Sequence, residues 1–211
     1  MLKAVIFDLD GVLVSTDEMH FKAWSRLAEE IGITTFTKED NIRQRGVSRM
    51  ASLEIVLEKS DKSYTDEEKA ELADRKNSYY CEMLKTLTPD DVLDGALDFL
   101  KLLKVNNIKT AVGSASKNAP VILEKTGLTE YLDAISCGLD VTKSKPDPEV
   151  FLKAAEKLGI EPKDCLVVED AHAGVLAAKN GNMYALAVGA AYGDADADFS
   201  AKSLASFNGI I

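Results

Sequence analysis

Hydrophobic and polar positions along this chain follow two different rhythms. Short runs rich in Val, Ile and Ala, at residues 3–7, 109–113, 134–137, 165–168 and 184–188, lack the strict alternation of a half-exposed strand. Continuous apolar runs of this length predict strands buried on both faces, as in a parallel sheet. Helical periodicity fills most of the intervals. Leu97, Leu100 and Leu103 share one face over residues 95–104. Phe151, Ala154, Ala155 and Leu158 do so over 148–158, where Gly159 provides a stop. This repetition of strand and helix predicts an α/β fold built on a doubly wound parallel sheet.

The first interval departs from that rhythm. Residues 16–91 contain no convincing strand pattern, and helical spacing dominates them. His20, Trp24, Leu27, Ala28 and Ile31 fall on one helix face. Thr65-Asp66-Glu67-Glu68 has the form of a capping box and predicts a long helix running to about Lys85. Thr88-Pro89-Asp90-Asp91 reads as a linker. The expected organisation is therefore a core made of residues 1–15 and 92–211, with an all-helical domain, residues 16–91, inserted after the first strand. Two connections, near Ser15–Thr16 and near Thr88–Asp91, can act as a hinge for a lid.

Composition narrows the class of partner. The chain has 211 residues, 46% hydrophobic and 28% charged, with a net charge of −10. Such a surface repels nucleic acid and anionic membranes, and no apolar run approaches the roughly 18–20 residues that span a bilayer. Residues 1–10 turn acidic too soon for a signal peptide, and a cytoplasmic monomer is expected. Cys81, Cys137 and Cys165 are far apart and odd in number, which points to free, buried thiols rather than disulfides or a zinc knuckle. The same negative charge would repel sugar phosphates, so a phosphate site needs local cations or a metal.

Four strand ends carry the candidate chemistry. The first is followed by Asp8-Leu9-Asp10-Gly11, two carboxylates at i and i+2 where open α/β sheets place their ligands. The second leads into Ser114-Ala115-Ser116-Lys117-Asn118, whose hydroxyls and amides suit phosphate oxygens and equally suit an ordinary helix cap. Lys145 precedes Pro146 and reads as a site cation or a surface lysine. Glu169-Asp170 suits a hard cation such as Mg²⁺ or an acidic helix start. In combination, all four sets can meet at one edge of one sheet. There, carboxylates from two strands would hold Mg²⁺, Lys145 would offset their charge, and Ser114 would hold phosphoryl oxygens.

In this order and spacing the four segments resemble the motifs of the haloacid dehalogenase-like superfamily, and the insert resembles that family's helical cap. The resemblance implies a Rossmann-like core, Mg²⁺ as cofactor, and Asp8 as the nucleophile that becomes an aspartyl phosphate. It further implies Asp10 as general acid and base, and Asp8, the Asp10 carbonyl and Asp170 as metal ligands with Glu169 close by. Within the superfamily the likeness is to the β-phosphoglucomutase subfamily. It is carried by His20, Arg45-Gly46-Val47-Ser48-Arg49, Lys76 in Arg75-Lys76-Asn77, and the segment 114–118. That likeness implies a sugar phosphate as partner and interconversion of β-D-glucose 1-phosphate and glucose 6-phosphate through a 1,6-bisphosphate. Arg49 would grip the non-reacting phosphate, with Lys76 and Arg45 as further cations.

Two rivals remain open at this level. One is a phosphatase of the same fold. The other is a phosphorylation-switched receiver module, in which the phosphorylated Asp would end a later strand and no large insert would follow the first. His20 reads as a core histidine or as an aid to cap closure and to Asp10. Trp24 reads as cap core, and His172 as solvated. After Val188 the chain departs from the family pattern. A short acidic stretch replaces the expected longer terminal segment and leaves the last edge of the sheet open.

Overall fold

A computed structural model describes residues 2–207 of the chain. Six strands form one parallel sheet: β1 (Ala4–Phe7), β2 (Lys109–Gly113), β3 (Ala134–Ser136), β4 (Cys165–Glu169), β5 (Tyr184–Ala187) and β6 (Phe199–Ser200), in the spatial order β3-β2-β1-β4-β5-β6. The chain leaves β1 toward β2 and β3, then returns to β4 on the other side of β1. The direction of winding therefore reverses between β1 and β4, and open sheets form their ligand crevice at such a reversal. In-register pairing of Phe7 with Val168 brings the residues that follow β1 and β4 side by side.

Alternation along β1 explains the layers. Val5 and Phe7 point to one face and pack with Phe99, Leu100 and Leu103 of α5 (Ala96–Val105) and with Ile122 and Leu123 of α6 (Ala119–Lys125). Ala4 and Ile6 point to the other, against Phe151 of α7 (Glu149–Leu158) and Val175, Ala177 and Ala178 of α8 (His172–Asn180). Both faces are dry, which is why the strands read as unbroken apolar runs. The expected strands are found within one residue at either end. β6 closes the edge that the acidic C-terminal stretch left open, pairing in parallel with β5. The last residues of that stretch, 208–211, lie outside the described residues.

Four helices stand between β1 and α5: α1 (Asp17–Glu30), α2 (Lys38–Arg43), α3 (Arg49–Leu57) and α4 (Asp66–Leu84). The capping box at Thr65 is present, with the Thr65 amide donating to Glu68 at 2.7 Å and the Glu68 amide donating to Thr65 Oγ1 at 3.2 Å. These helices have their own apolar cluster, in which Trp24, Leu27, Leu53, Val56 and Leu72 are buried. Ala23, Tyr80 and Leu84 instead join the core on the sheet, so α1 and α4 are seated on it at one end. The two connections lie side by side: Val14 bridges to Val92, and the Leu93 amide donates to the Leu13 carbonyl at 2.9 Å. No helix among the described residues is long and apolar enough to cross a membrane.

Candidate active site

The turn after β1 begins the site. Gly11 adopts φ +80°, and a Cβ there would run into the Asp170 carboxylate, so glycine is required both for the turn and for the approach of β4. Asp8 and Glu169, at the ends of neighbouring strands, are both buried. Between them lies Lys145, carried by the loop before α7 and itself only 4% exposed. Its Nζ donates to Asp8 Oδ1 at 2.5 Å and to Glu169 Oε1. The other Glu169 oxygen accepts the amides of Asp170 and Ala171, each at 3.0 Å. Lys145 is thus a site cation and no surface lysine. Burial works against its charge, but Asp8 and Glu169 outweigh burial and hold its pKa above the ordinary lysine value.

One lysine does not balance this corner. Asp8, Glu169 and Asp170 offer carboxylate oxygens within 4.8 Å of one another. Burial, then the charges of Glu169 and Asp8, push the Asp170 carboxyl up to about 8. Burial likewise raises Glu169, against the pull of Lys145. Crowded carboxylates with raised pKa values and an all-oxygen donor set fit a hard divalent cation. Asp8 and Asp170 face the cleft, whereas Glu169 lies behind them, engaged by Lys145 and the two amides.

Asp10 occupies the same turn. Burial lifts its carboxyl to about 6, against the opposing pull of the Thr16 hydroxyl and with a further push from Asp8. Thr16 Oγ1 donates to Asp10 Oδ1. The loop 114–118 forms another wall. Ser114 is buried, its Oγ accepts the Ser116 amide at 3.1 Å, and Ser116 Oγ accepts the Asn118 amide at 3.2 Å. Two of the expected phosphate-binding amides are therefore already engaged. Those of Ala115 and Lys117 have no hydrogen-bond partner among the described residues.

The helical insert supplies the opposite wall. Gly46, at φ +72°, stands over Lys145 and Ala171, close enough that a Cβ would touch both side chains. Val47 and Ser48 follow, and Ser48 caps α3 by accepting the Ala51 amide at 3.3 Å. Arg49, the first residue of α3, reaches the cleft and lies 3.5 Å from Asp74. Arg45 pairs with Asp17 at 3.1 Å. Lys76 is buried, with its Nζ 2.8 Å from His20 Nδ1 and over the rings of Trp24 and Tyr80. Burial, then Arg49, lowers its pKa to about 7. Burial, with Lys76 and Arg49 nearby, holds His20 well below the ordinary histidine value.

These walls enclose a cleft of about 620 Å³. Except for Glu169, every residue predicted for the site borders it, and so does Trp24, which is also core of the insert. His172 is outside, exposed and 2.7 Å from Asp194. Cys137 and Cys165 are buried free thiols as expected; Cys81 is half-buried, its Sγ 3.7 Å from Asn118 Oδ1. The sequence reading missed Thr16, which bonds Asp10, Tyr80, which bonds Thr16, and Asn77, whose Oδ1 accepts from Asn118 at 3.0 Å. Tyr80 sits at an apolar helix position and Thr16 in a linker, and neither stands out without the fold.

Comparison with known proteins agrees with this geometry. The family model of haloacid dehalogenase-like hydrolases matches residues 2–182. A β-phosphoglucomutase of Bacillus subtilis is 45% identical over 190 residues, covering 89% of this chain and 84% of the relative. A phosphorylated carbohydrates phosphatase of Thermotoga maritima is 32% identical, covering 85% and 81%. The crystal structure of a β-phosphoglucomutase from Clostridium difficile superposes with a TM-score of 0.92 at 38% identity, covering 97% of this chain and 92% of that one. With buried carboxylates at the β1–β4 reversal, a lysine between them and a family match over most of its length, the chain belongs to the haloacid dehalogenase-like hydrolase family.

Proposed function

We propose that this protein is a Mg²⁺-dependent mutase that interconverts β-D-glucose 1-phosphate and glucose 6-phosphate through an aspartyl phosphate on Asp8 and a bound 1,6-bisphosphate. The observation that carries the reading is the pairing of two cationic walls across one cleft. Lys145 stands on the sheet edge beside Asp8, while Arg45, Arg49 and Lys76 stand on the insert. A substrate that presents phosphate at both ends during its cycle needs both walls, whereas simple ester hydrolysis needs only the first.

With the 1,6-bisphosphate bound, an Asp8 oxygen bonds to the phosphorus on the sugar's C1 oxygen while the bond from that phosphorus to the oxygen breaks, leaving glucose 6-phosphate and phospho-Asp8. Asp10 gives a proton to that oxygen. In the other half-reaction the 6-hydroxyl of β-D-glucose 1-phosphate attacks phospho-Asp8, Asp10 takes the hydroxyl proton, and the bond from phosphorus to Asp8 breaks, freeing Asp8 and re-forming the 1,6-bisphosphate. A carboxyl lifted to about 6 is suited to both duties near neutral pH. Ser114 and the Ala115 amide would bind phosphoryl oxygens, and Lys145 keeps Asp8 oriented and ionised. Asp8, Asp170 and the Asp10 carbonyl, with Glu169 beside them, would hold Mg²⁺, which when bound supplies positive charge against the phosphoryl oxygens and the gathered carboxylates. The helices 17–84 would act as a cap that excludes water from phospho-Asp8, and Arg49 on that cap, with Ser116, Lys117 and Asn118 of the core loop, would hold the distal phosphate.

The phosphatase relative keeps a second reading in view: a hydrolase acting on a sugar phosphate, in which water takes the place of the second hydroxyl. One assay separates the two. The protein is incubated with Mg²⁺, β-D-glucose 1-phosphate and a trace of the 1,6-bisphosphate, with Asp8→Asn as control. Glucose 6-phosphate should form with little free phosphate, and Asp8→Asn should form neither. Free phosphate as the main product would replace the mutase reading with the phosphatase one.

A further inference from the structure

Thr16 has an unusual set of partners for its position. It is the N-cap residue of α1, where a threonine hydroxyl ordinarily accepts a helix amide, yet it makes no such bond. Its hydroxyl is instead directed at Asp10 Oδ1 on one side and Tyr80 Oη, at 2.8 Å, on the other. Both Thr16 and Tyr80 are essentially fully buried. A hydroxyl carries one proton. If Thr16 donates that proton to the Asp10 carboxylate, Tyr80 must be the donor to Thr16. The chain of bonds then runs in one direction, from Tyr80 through Thr16 to Asp10, and Tyr80 has no other hydrogen-bond partner among the described residues.

Tyr80 belongs to α4, in the part of the insert that packs into the sheet core beside Ala23 and Leu84. Its ring lies 4.0 Å from that of His20, centroid to centroid. The hydroxyl is therefore placed by how the insert is seated on the hinge, and Thr16 is the hinge residue that passes this placement to Asp10.

We propose that Tyr80 is a positioning residue for the proton-transfer step: by donating to Thr16 it commits the Thr16 hydroxyl to Asp10 and so couples the orientation of the acid–base carboxylate to the seating of the insert. The proposal deepens the reading above and rests on Asp10 as acid and base. It does not require that the reaction be a mutation of the sugar rather than a hydrolysis.

The test uses Tyr80→Phe, Thr16→Val and the double variant. Rates of ester consumption are measured on β-D-glucose 1-phosphate, whose leaving group needs a proton, and on p-nitrophenyl phosphate, whose leaving group does not. Tyr80→Phe keeps the ring and its packing. It should lower kcat on the sugar phosphate about three- to tenfold, the value of one hydrogen bond, with KM unchanged and the aryl ester spared. Adding Tyr80→Phe to Thr16→Val should cost nothing more, because the relay is already cut. Equal losses on both esters, additive losses in the double variant, or no loss would overturn the proposal. So would a Tyr80→Phe chain that fails to fold, as judged by thermal melting, since the hydroxyl would then serve stability. Should the wild type release free phosphate instead of glucose 6-phosphate, the mutase reading fails but this test stands, because the ratio of the two esters reports the proton step in either reaction.

Discussion

Two lysines line the same cleft, are buried to a similar depth and carry opposite electrostatics. Lys145, on the sheet wall, is 4% exposed and Lys76, on the insert wall, 2%. Burial acts against the charge of both. At Lys145 it is overcome by two carboxylates in direct contact, so the ammonium is held more firmly than in water. At Lys76 the near neighbours are a neutral histidine nitrogen and two aromatic rings, with Arg49 adding repulsion, and the pKa falls to about 7. Partners, and not depth, decide the charge of a buried lysine. On the sheet wall the lysine is held charged by two carboxylates in contact, whereas on the insert wall no carboxylate touches Lys76 and its charge is disfavoured.

The largest effect should come from breaking the compensated side. Lys145→Met leaves Asp8 and Glu169 buried against each other without their shared cation. Removing one partner from a buried ion pair costs about 3–5 kcal/mol. Turnover should fall to near background and the melting temperature should drop, with part of the drop recovered on adding Mg²⁺. A variant that melts like the wild type without Mg²⁺ would mean that the corner is not held together by this lysine.

Arg49→Ala tests the uncompensated side. Losing a charge-assisted contact contributes on the order of 1.5–3 kcal/mol, so conversion of β-D-glucose 1-phosphate should slow about ten- to a hundredfold. Phosphorylation of Asp8 by acetyl phosphate, which has no distal phosphate, should be spared. Arg49→Lys should restore only part of the rate, because a point charge does not reproduce the guanidinium fork. Parallel losses in the two rates would assign Arg49, through Asp74, to cap stability.

A further effect, which leaves the chemistry aside, concerns stability against pH. With a folded pKa of about 7 and an ordinary value of 10.5, Lys76 binds its proton more readily in the unfolded chain between those limits. The wild type therefore carries no penalty from this group above about 10.5, an increasing one as pH falls, and a constant one below about 7. Lys76→Met removes the penalty while keeping an apolar stem. Its melting temperature relative to wild type should rise as pH is lowered from 10 to 7, by roughly 2–4 °C per kcal/mol for a chain of this size. A difference that does not change with pH would place a counter-charge beside Lys76 and erase the contrast with Lys145.

Much of the site was legible because its parts are local. Asp8, Asp10 and Asp170 each follow an unbroken apolar run, and Gly11 marks a turn that no side chain tolerates. The capping box at Thr65 identified the longest helix of the insert from four residues. Arg49 and Lys76 became candidates only through the resemblance of their surrounding strings, since as isolated positions they read as ordinary helix residues. Thr16 and Tyr80 gave no signal, because they are 64 positions apart and meet only where the hinge folds back on α4.

The sequence by itself determined which segments are strands, which are helices and in what order, because apolar periodicity and capping act over a few residues. It also determined that carboxylates, a hydroxyl loop and a lysine all follow strands that end at one edge. Only the tertiary structure decided who partners whom. Lys145 sits between Asp8 and Glu169, Lys76 against His20, and Thr16 between Asp10 and Tyr80. Those pairings set the charge and orientation of each group, because in a dry interior an ionisable side chain responds to its immediate neighbours, and these come from segments far apart along the chain.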